Sequence, residues 1–360
     1  MTARMLATVL TSVLVALAAA PSAHGALPRG FFGVVSEDVF AGDFTYQRPT
    51  LGQQRATGVS LLRQNFDWKQ IERTPGVFDF SMTDRFVLAA AKERIEVMPL
   101  LFGEPAWASS RPPGNQDRAT FPPRRVGDFA RYAAAVAMRY GPNGSLWLEH
   151  PGVTPRPVRA YQVWNEPNLG VYWGNHPSPK RYTALLRATH RALHQVQPTA
   201  DLVTAGLPKS KHGMPLRTFI RGMYAAGARK AIDVLGVNPY APSLKGIEKQ
   251  LREARTALPK RARRTPLWIT EIGWASGGPP TKGRRVGIQG QASLVSKVFR
   301  GLARKRKAWR LRGIVYFAWR DAPVYPGGKD FWGLHTGLYH LDGRPKPAAL
   351  ALHRATRAVR

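Results

Sequence analysis

Val158-Arg159-Ala160-Tyr161-Gln162-Val163-Trp164-Asn165-Glu166-Pro167-Asn168 begins as a short run of β-branched and aromatic residues and ends on a carboxylate beside a proline. Such a run favours an extended strand, and Pro167 stops it because proline has no amide hydrogen to add to a ladder. Glu166 is therefore expected just past the end of a buried strand. Trp268-Ile269-Thr270-Glu271-Ile272-Gly273-Trp274 repeats the arrangement further along, again with a glutamate where an apolar run gives way.

Around these two runs lie others of the same kind. Strands are expected at 31–35, 59–65, 95–102, 158–164, 202–205, 234–238, 267–270 and 314–318. Segments of helical period fall between them, at 84–92, 126–140, 179–196, 215–226, 244–257 and 289–305, with a last one from Pro347 and a weaker one across 40–55. Strands alternating with helices make βα units and a parallel sheet. Eight such units predict an α/β fold, a (β/α)8 TIM barrel forming one domain over residues 26–360, with no Ser/Gly-rich linker to divide it. A doubly wound open sheet usually has fewer strands, and the chain has neither a G-x-G-x-x-G turn nor a P-loop. In a barrel the reactive groups sit where strands end and βα loops begin. Glu166, from the fourth strand, and Glu271, from the seventh, would then face one another across the same mouth. Hydrolysis of a glycosidic bond needs such a pair, one carboxyl protonated for the leaving oxygen and one ionised on the other side of the sugar.

The chain has 360 residues, 44% hydrophobic and 10% aromatic, and no cysteine. That supplies a globular core and excludes collagenous, disulfide-stapled and zinc-thiolate classes. Residues 1–25 read as a signal peptide: Arg4, an apolar stretch from Met5 to Ala20, then small residues from Pro21 to Gly25, with the mature chain expected from about Ala26. The apolar stretch is short for a bilayer span, so a secreted protein with no transmembrane span after cleavage is expected. Lysine and arginine number 54 against 22 acidic residues, a formal charge of +32. A field of that size attracts polyanions, but arginine spread along a chain is also a common compositional habit.

Here the motifs become specific. WNEPN at the fourth strand and TEIGW at the seventh resemble the acid/base and nucleophile motifs of clan A retaining glycoside hydrolases. Asp67-Trp68, Ile71-Glu72 and Gly76-Val77-Phe78-Asp79-Phe80 are similar to the second βα unit of families 39, 42 and 5 of these enzymes, and Gly337 to Ala348 resembles their last loop and helix. The resemblance implies Glu166 as general acid/base, Glu271 as nucleophile and Asn165 as donor to the sugar 2-hydroxyl. It further implies that Tyr240 hydrogen-bonds the nucleophile, that Arg63 keeps it charged and that Trp319 is the platform under the sugar. Trp107, Trp173 and Trp274 are further candidates for the rim, since aromatic faces suit the C–H faces of a pyranose. The third strand ends in Phe102-Gly103-Glu104 where some of these families have a histidine.

The remaining features are weaker. His190 and His194 share a helix face, but Arg191 stands where a zincin has its glutamate, so a solvated face is the expectation and no metal or other cofactor is called for. The basic runs Lys260 to Arg264 and Arg304 to Lys307, with Arg310 and Arg312, precede the seventh and eighth strands and fall on the face opposite the mouth. They suit an anionic cell-wall polymer about as well as they suit plain solvation. Arg111, Arg118, Arg124, Arg125, Lys282, Arg284 and Arg285 fall on the catalytic side, which allows an acidic sugar. Besides a hydrolase acting on a poly- or oligosaccharide, two other readings stand: a catalytically weak glycan-binding or wall-anchoring protein, and a polyanion binder resting on charge alone. No nucleic-acid recognition module supports the last.

Overall fold

The computed structural model describes residues 27–210 and 212–359; the expected signal segment and its cleavage point lie outside the described residues. Among the described residues nine strands form one parallel sheet: β1 (Phe32–Val34), β2 (Leu61–Asp67), β3 (Glu96–Phe102), β4 (Ala160–Val163), β5 (Asp201–Thr204), β6 (Leu207–Pro208), β7 (Leu235–Asn238), β8 (Leu267–Ile272) and β9 (Leu311–Tyr316). Their order is β5-β4-β3-β2-β1-β9-β8-β7-β6. A bridge from Val203 in β5 to Val234 at the start of β7 joins the two ends, so the sheet curls into a closed TIM barrel. β5 and β6 are two pieces of one barrel strand, which reduces nine segments to the eight expected positions.

The break between them has a local cause. At Gly206 a Cβ atom would lie 2.1 Å from Asn238 Oδ1 and 2.4 Å from Thr270 Oγ1. The backbone can pass there only as glycine, and it bends away from its neighbour to do so.

Two layers of side chains hold the barrel. Leu61, Met98, Ala160, Val203, Trp268 and Val315 fill its interior, and a larger cluster fills the space between sheet and helices. The helix Val126–Tyr140 shows how the outer layer is made: Phe129, Tyr132, Ala133, Val136 and Tyr140 are buried at spacings of three and four, one stripe of a 3.6-residue period. Each fully buried Leu, Val or Phe contributes about 1.5–3 kcal/mol. The helices Val126–Tyr140, Pro179–Val196 and Leu244–Ala257 match the expected bounds. The weak helical stretch at 40–55 is instead two helices, Glu37–Ala41 and Phe44–Thr57, with Asp43 capping the second through Tyr46 N at 3.0 Å. No helix among the described residues is long and apolar enough to cross a membrane.

Candidate active site

Strict alternation along β8 would turn Glu271 away from the barrel axis, since Trp268 and Thr270 already point inward. The register supplies the correction. Ile269 pairs with Ile314 and Ile272 with Tyr316, so Thr270 and Glu271 stand opposite the single residue Val315. This bulge re-aims Glu271 into the mouth. There its Oε1 is 2.8 Å from Arg63 Nη1, and its Oε2 accepts the Tyr240 hydroxyl at 2.9 Å.

Arg63, an inward residue of β2 that is 3% exposed, has every nitrogen engaged. Nε donates to Gln162 Oε1 at 2.6 Å and Nη2 to Asn165 Oδ1 at 3.2 Å, while Gln162 Nε2 donates to Thr204 O at 3.0 Å. A planar guanidinium bound at three points is fixed in rotation as well as position. Asn165 accepts from Arg63 and so keeps its amide hydrogens for the cleft. Glu37, just past β1, accepts Gln64 Nε2 at 3.0 Å and lies within electrostatic reach of Arg63 and Glu271.

Glu166 follows β4 on a turn in which both Trp164 (φ 68°) and Glu166 itself (φ 39°) take left-handed backbone conformations. Non-glycine residues there cost of order 1–3 kcal/mol each and persist only where the surroundings enforce them. Trp164 supplies that enforcement: its indole donates to Tyr172 O at 2.7 Å, and its ring meets Phe102, Phe129 and Trp173 at 5.1, 5.8 and 5.5 Å. The Glu166 carboxyl accepts Asn238 Nδ2 at 2.8 Å, and Thr270 donates to Asn238 Oδ1 at 2.8 Å, which fixes which end of the amide faces Glu166. Burial raises the Glu166 pKa far above the ordinary carboxylic range, and the charge of Glu271 raises it further against the lowering effects of Asn238, Arg63 and Arg284. The site thus sets one carboxyl that holds its proton beside one paired to an arginine.

The aromatic expectations need revision. Trp319 is 1% exposed and lies against Tyr339 at 4.6 Å in the outer cluster, because its amide is tied to Val35 O at 2.8 Å. Phe317, half-buried and next after Val315 on the interior side, occupies the position facing the mouth. Trp274 is buried with its indole donating to Ala241 O at 2.7 Å, and Trp173 is buried between Trp164 and Tyr182. Both are core residues and not rim residues. Trp107 is half-buried and donates to Glu72 O at 3.1 Å. Glu72 also receives Trp68, Gly76 and Arg131, so the residues around 67–76 clamp the second and third loops together, and Trp107 lines a cavity with Gly76, Arg124 and Arg131. Glu104 closes the third loop by accepting Phe121 N at 2.9 Å and Ser109 Oγ at 3.3 Å.

Far from the mouth, His190 and His194 stack at 3.9 Å. Asp233, which the sequence did not single out, joins them with ligand atoms within 4.8 Å. Arginine and lysine side chains line the adjoining cavity, an unfavourable setting for a cation. Arg306 is 6% exposed, which removes it from the solvated basic face. The other members of the expected runs lie before β8 and before or at the start of β9, where Arg312 is its second residue, opposite the mouth.

No protein-family model and no curated protein matches the chain. Among solved structures, a family 39 glycoside hydrolase from Bacteroides cellulosilyticus is similar with a TM-score of 0.64 over 91% of this chain at 19% identity, and this chain spans 64% of that one. A monomeric β-xylosidase from Caulobacter crescentus gives a TM-score of 0.64 at 18% identity, covering 91% of this chain and 68% of that one. Xylanase 10B from Thermotoga maritima gives 0.58 at 13% identity, covering 92% and 95%. At these identities the likeness carries the fold, a barrel of the kind found in clan A glycoside hydrolases.

Proposed function

We propose that this protein is a retaining glycoside hydrolase, exported through its 1–25 segment, that acts on a poly- or oligosaccharide with a single catalytic domain. One observation carries the reading: Glu271 is paired with Arg63 at 2.8 Å and aligned by Tyr240 at 2.9 Å, opposite a Glu166 whose pKa is raised by burial and by the charge of Glu271.

In the first step a Glu271 oxygen attacks the anomeric carbon while Glu166 gives its proton to the departing oxygen, leaving a glycosyl–Glu271 ester. Esterification removes the charge on Glu271, and with it one of the two causes that raise the Glu166 pKa. Glu166, now ionised, takes a proton from the incoming water, which attacks the same carbon and frees Glu271. Arg63 and Tyr240 pair with the nucleophile and orient it, Asn165 offers amide hydrogens to the sugar 2-hydroxyl, and Phe317 replaces Trp319 as the ring under the sugar.

A panel of aryl xylosides, glucosides, galactosides, mannosides, arabinosides and uronides tests this. Wild-type protein should turn over at least one member. Glu271→Gln should abolish that turnover, and Glu166→Gln should lower it by about 10²–10⁴-fold where the leaving group needs a proton. Near wild-type rates in both variants would overturn the proposal.

A further inference from the structure

The loop that follows β8 returns over the mouth at Arg284. Its guanidinium carbon lies 4.5 Å from the centre of the Tyr240 ring and 4.8 Å from that of Trp332, and the two rings meet edge to face at 5.2 Å. Tyr240 is the residue whose hydroxyl holds Glu271, and the charge of Arg284 also acts on Glu166. The guanidinium is therefore one side chain away from Glu271 and within electrostatic reach of Glu166.

Its donors are unused. Arg284 makes no ion pair and no side-chain hydrogen bond among the described residues, and its Nη1 is buried without a partner. The neighbouring arginines differ. Arg63 spends its nitrogens on Glu271, Gln162 and Asn165, and Arg111 spends its own on carbonyls of its own loop. A half-buried guanidinium with no ion-pair partner is costly, and two aromatic faces offset only part of that cost. What the faces do fix is the plane of the group, and with Nη1 sealed from solvent it is the Nε and Nη2 edge that is left to meet a planar oxyanion at two points.

We propose that Arg284 recognises the carboxylate of a hexuronic acid, so that the glycan taken by this cleft is an acidic one. This rests on the hydrolase reading of the same site and narrows it to a substrate class. The overall charge of +32 fits, since it draws anionic chains toward the protein.

The test uses tetrasaccharides of polyglucuronate, polygalacturonate and polymannuronate, each beside its carboxyl-reduced neutral form, at about 0.15 M salt. For each pair the ratio of kcat/KM is taken where there is turnover, and the ratio of Kd by calorimetry where there is none. Wild-type protein should favour the acidic member of at least one pair by roughly tenfold or more. Arg284→Gln should bring that ratio near unity, whereas Arg285→Gln, at the exposed neighbour in the same loop, should leave it in place. A purely structural role for Arg284 would lower both members together and keep the ratio. No acidic preference in any pair, a preference that survives Arg284→Gln, or an equal loss in Arg285→Gln would overturn the inference. The two readings fail separately. Turnover of neutral sugars without acidic preference leaves a hydrolase and removes this assignment, and Arg284-dependent binding without turnover of any sugar does the reverse.

Discussion

Glu166 retains its proton first because it is buried and second because Glu271 stands near it with a negative charge. In the proposed mechanism the acid form is the active one, so activity should fall as pH rises through the Glu166 pKa. Asn238, Arg63 and Arg284 all act in the lowering direction, so removing one of them moves that basic limb upward. Asn238→Ala should shift the limb to higher pH and reduce kcat by about tenfold to hundredfold through lost alignment of the acid; an unchanged limb in the pH–rate profile would show that the 2.8 Å contact does not act on Glu166. The placement of the two glutamates at the strand ends was legible in the sequence because a carboxylate at the end of an apolar run is unusual enough to notice. Asn238 was not, because Asn-Pro reads as an ordinary strand terminator. Its role exists only through Thr270, a residue of the next strand that orients its amide. Glu37 is hidden for the same reason, having no neighbour in sequence that marks it.

Two irregularities of the sheet aim these side chains, and neither has a sequence signal of its own. The bulge in β8 lets Glu271 face the mouth from a position where alternation points it outward. The gap between β5 and β6 lets the backbone at Gly206 pass the Asn238–Thr270 pair. Gly206→Ala should therefore lower the melting temperature, by the amount that about 1–3 kcal/mol of overpacking gives, and should also move the basic limb as Asn238→Ala does. A loss of stability with an unaltered pH profile would separate the strand break from the acid. Strands and helices were readable from period and composition, because burial on one or both faces dictates both. The aromatic assignments were not. Trp319 and Trp274 lie just beyond strands whose alternation has ended, and there a backbone bond to Val35 and an indole bond to Ala241 decide where the rings go.

Charge is distributed over the barrel with a sidedness that the order of strands and helices already implies. Lys260, Arg261, Arg263 and Arg264 are exposed on the face opposite the mouth. Arg187, Arg191, Arg229, Lys230 and Arg261 line a cavity of about 430 Å³ there. The second run is largely spoken for: Lys305 pairs with Glu248 at 2.6 Å, Arg312 pairs with Asp201 and Arg306 is buried. Reversal of Lys260, Arg261, Arg263 and Arg264 to glutamate should weaken adsorption to an anionic polymer and flatten its salt dependence. Hydrolysis of a small aryl glycoside should hardly change. A parallel fall in both would mean that this face and the mouth are one surface.

The roles of the two carboxylates are tested most directly by the configuration of the product that azide releases from their alanine variants, read by NMR with an activated aryl glycoside. In Glu271→Ala the space of the missing nucleophile admits azide, which attacks the anomeric carbon itself and should give a glycosyl azide of inverted configuration. In Glu166→Ala the ester on Glu271 still forms, no base activates water, and azide should release a product of retained configuration. Exchanged outcomes would exchange the roles, and wild-type turnover in both variants without azide would contradict a mechanism through a glycosyl–Glu271 intermediate.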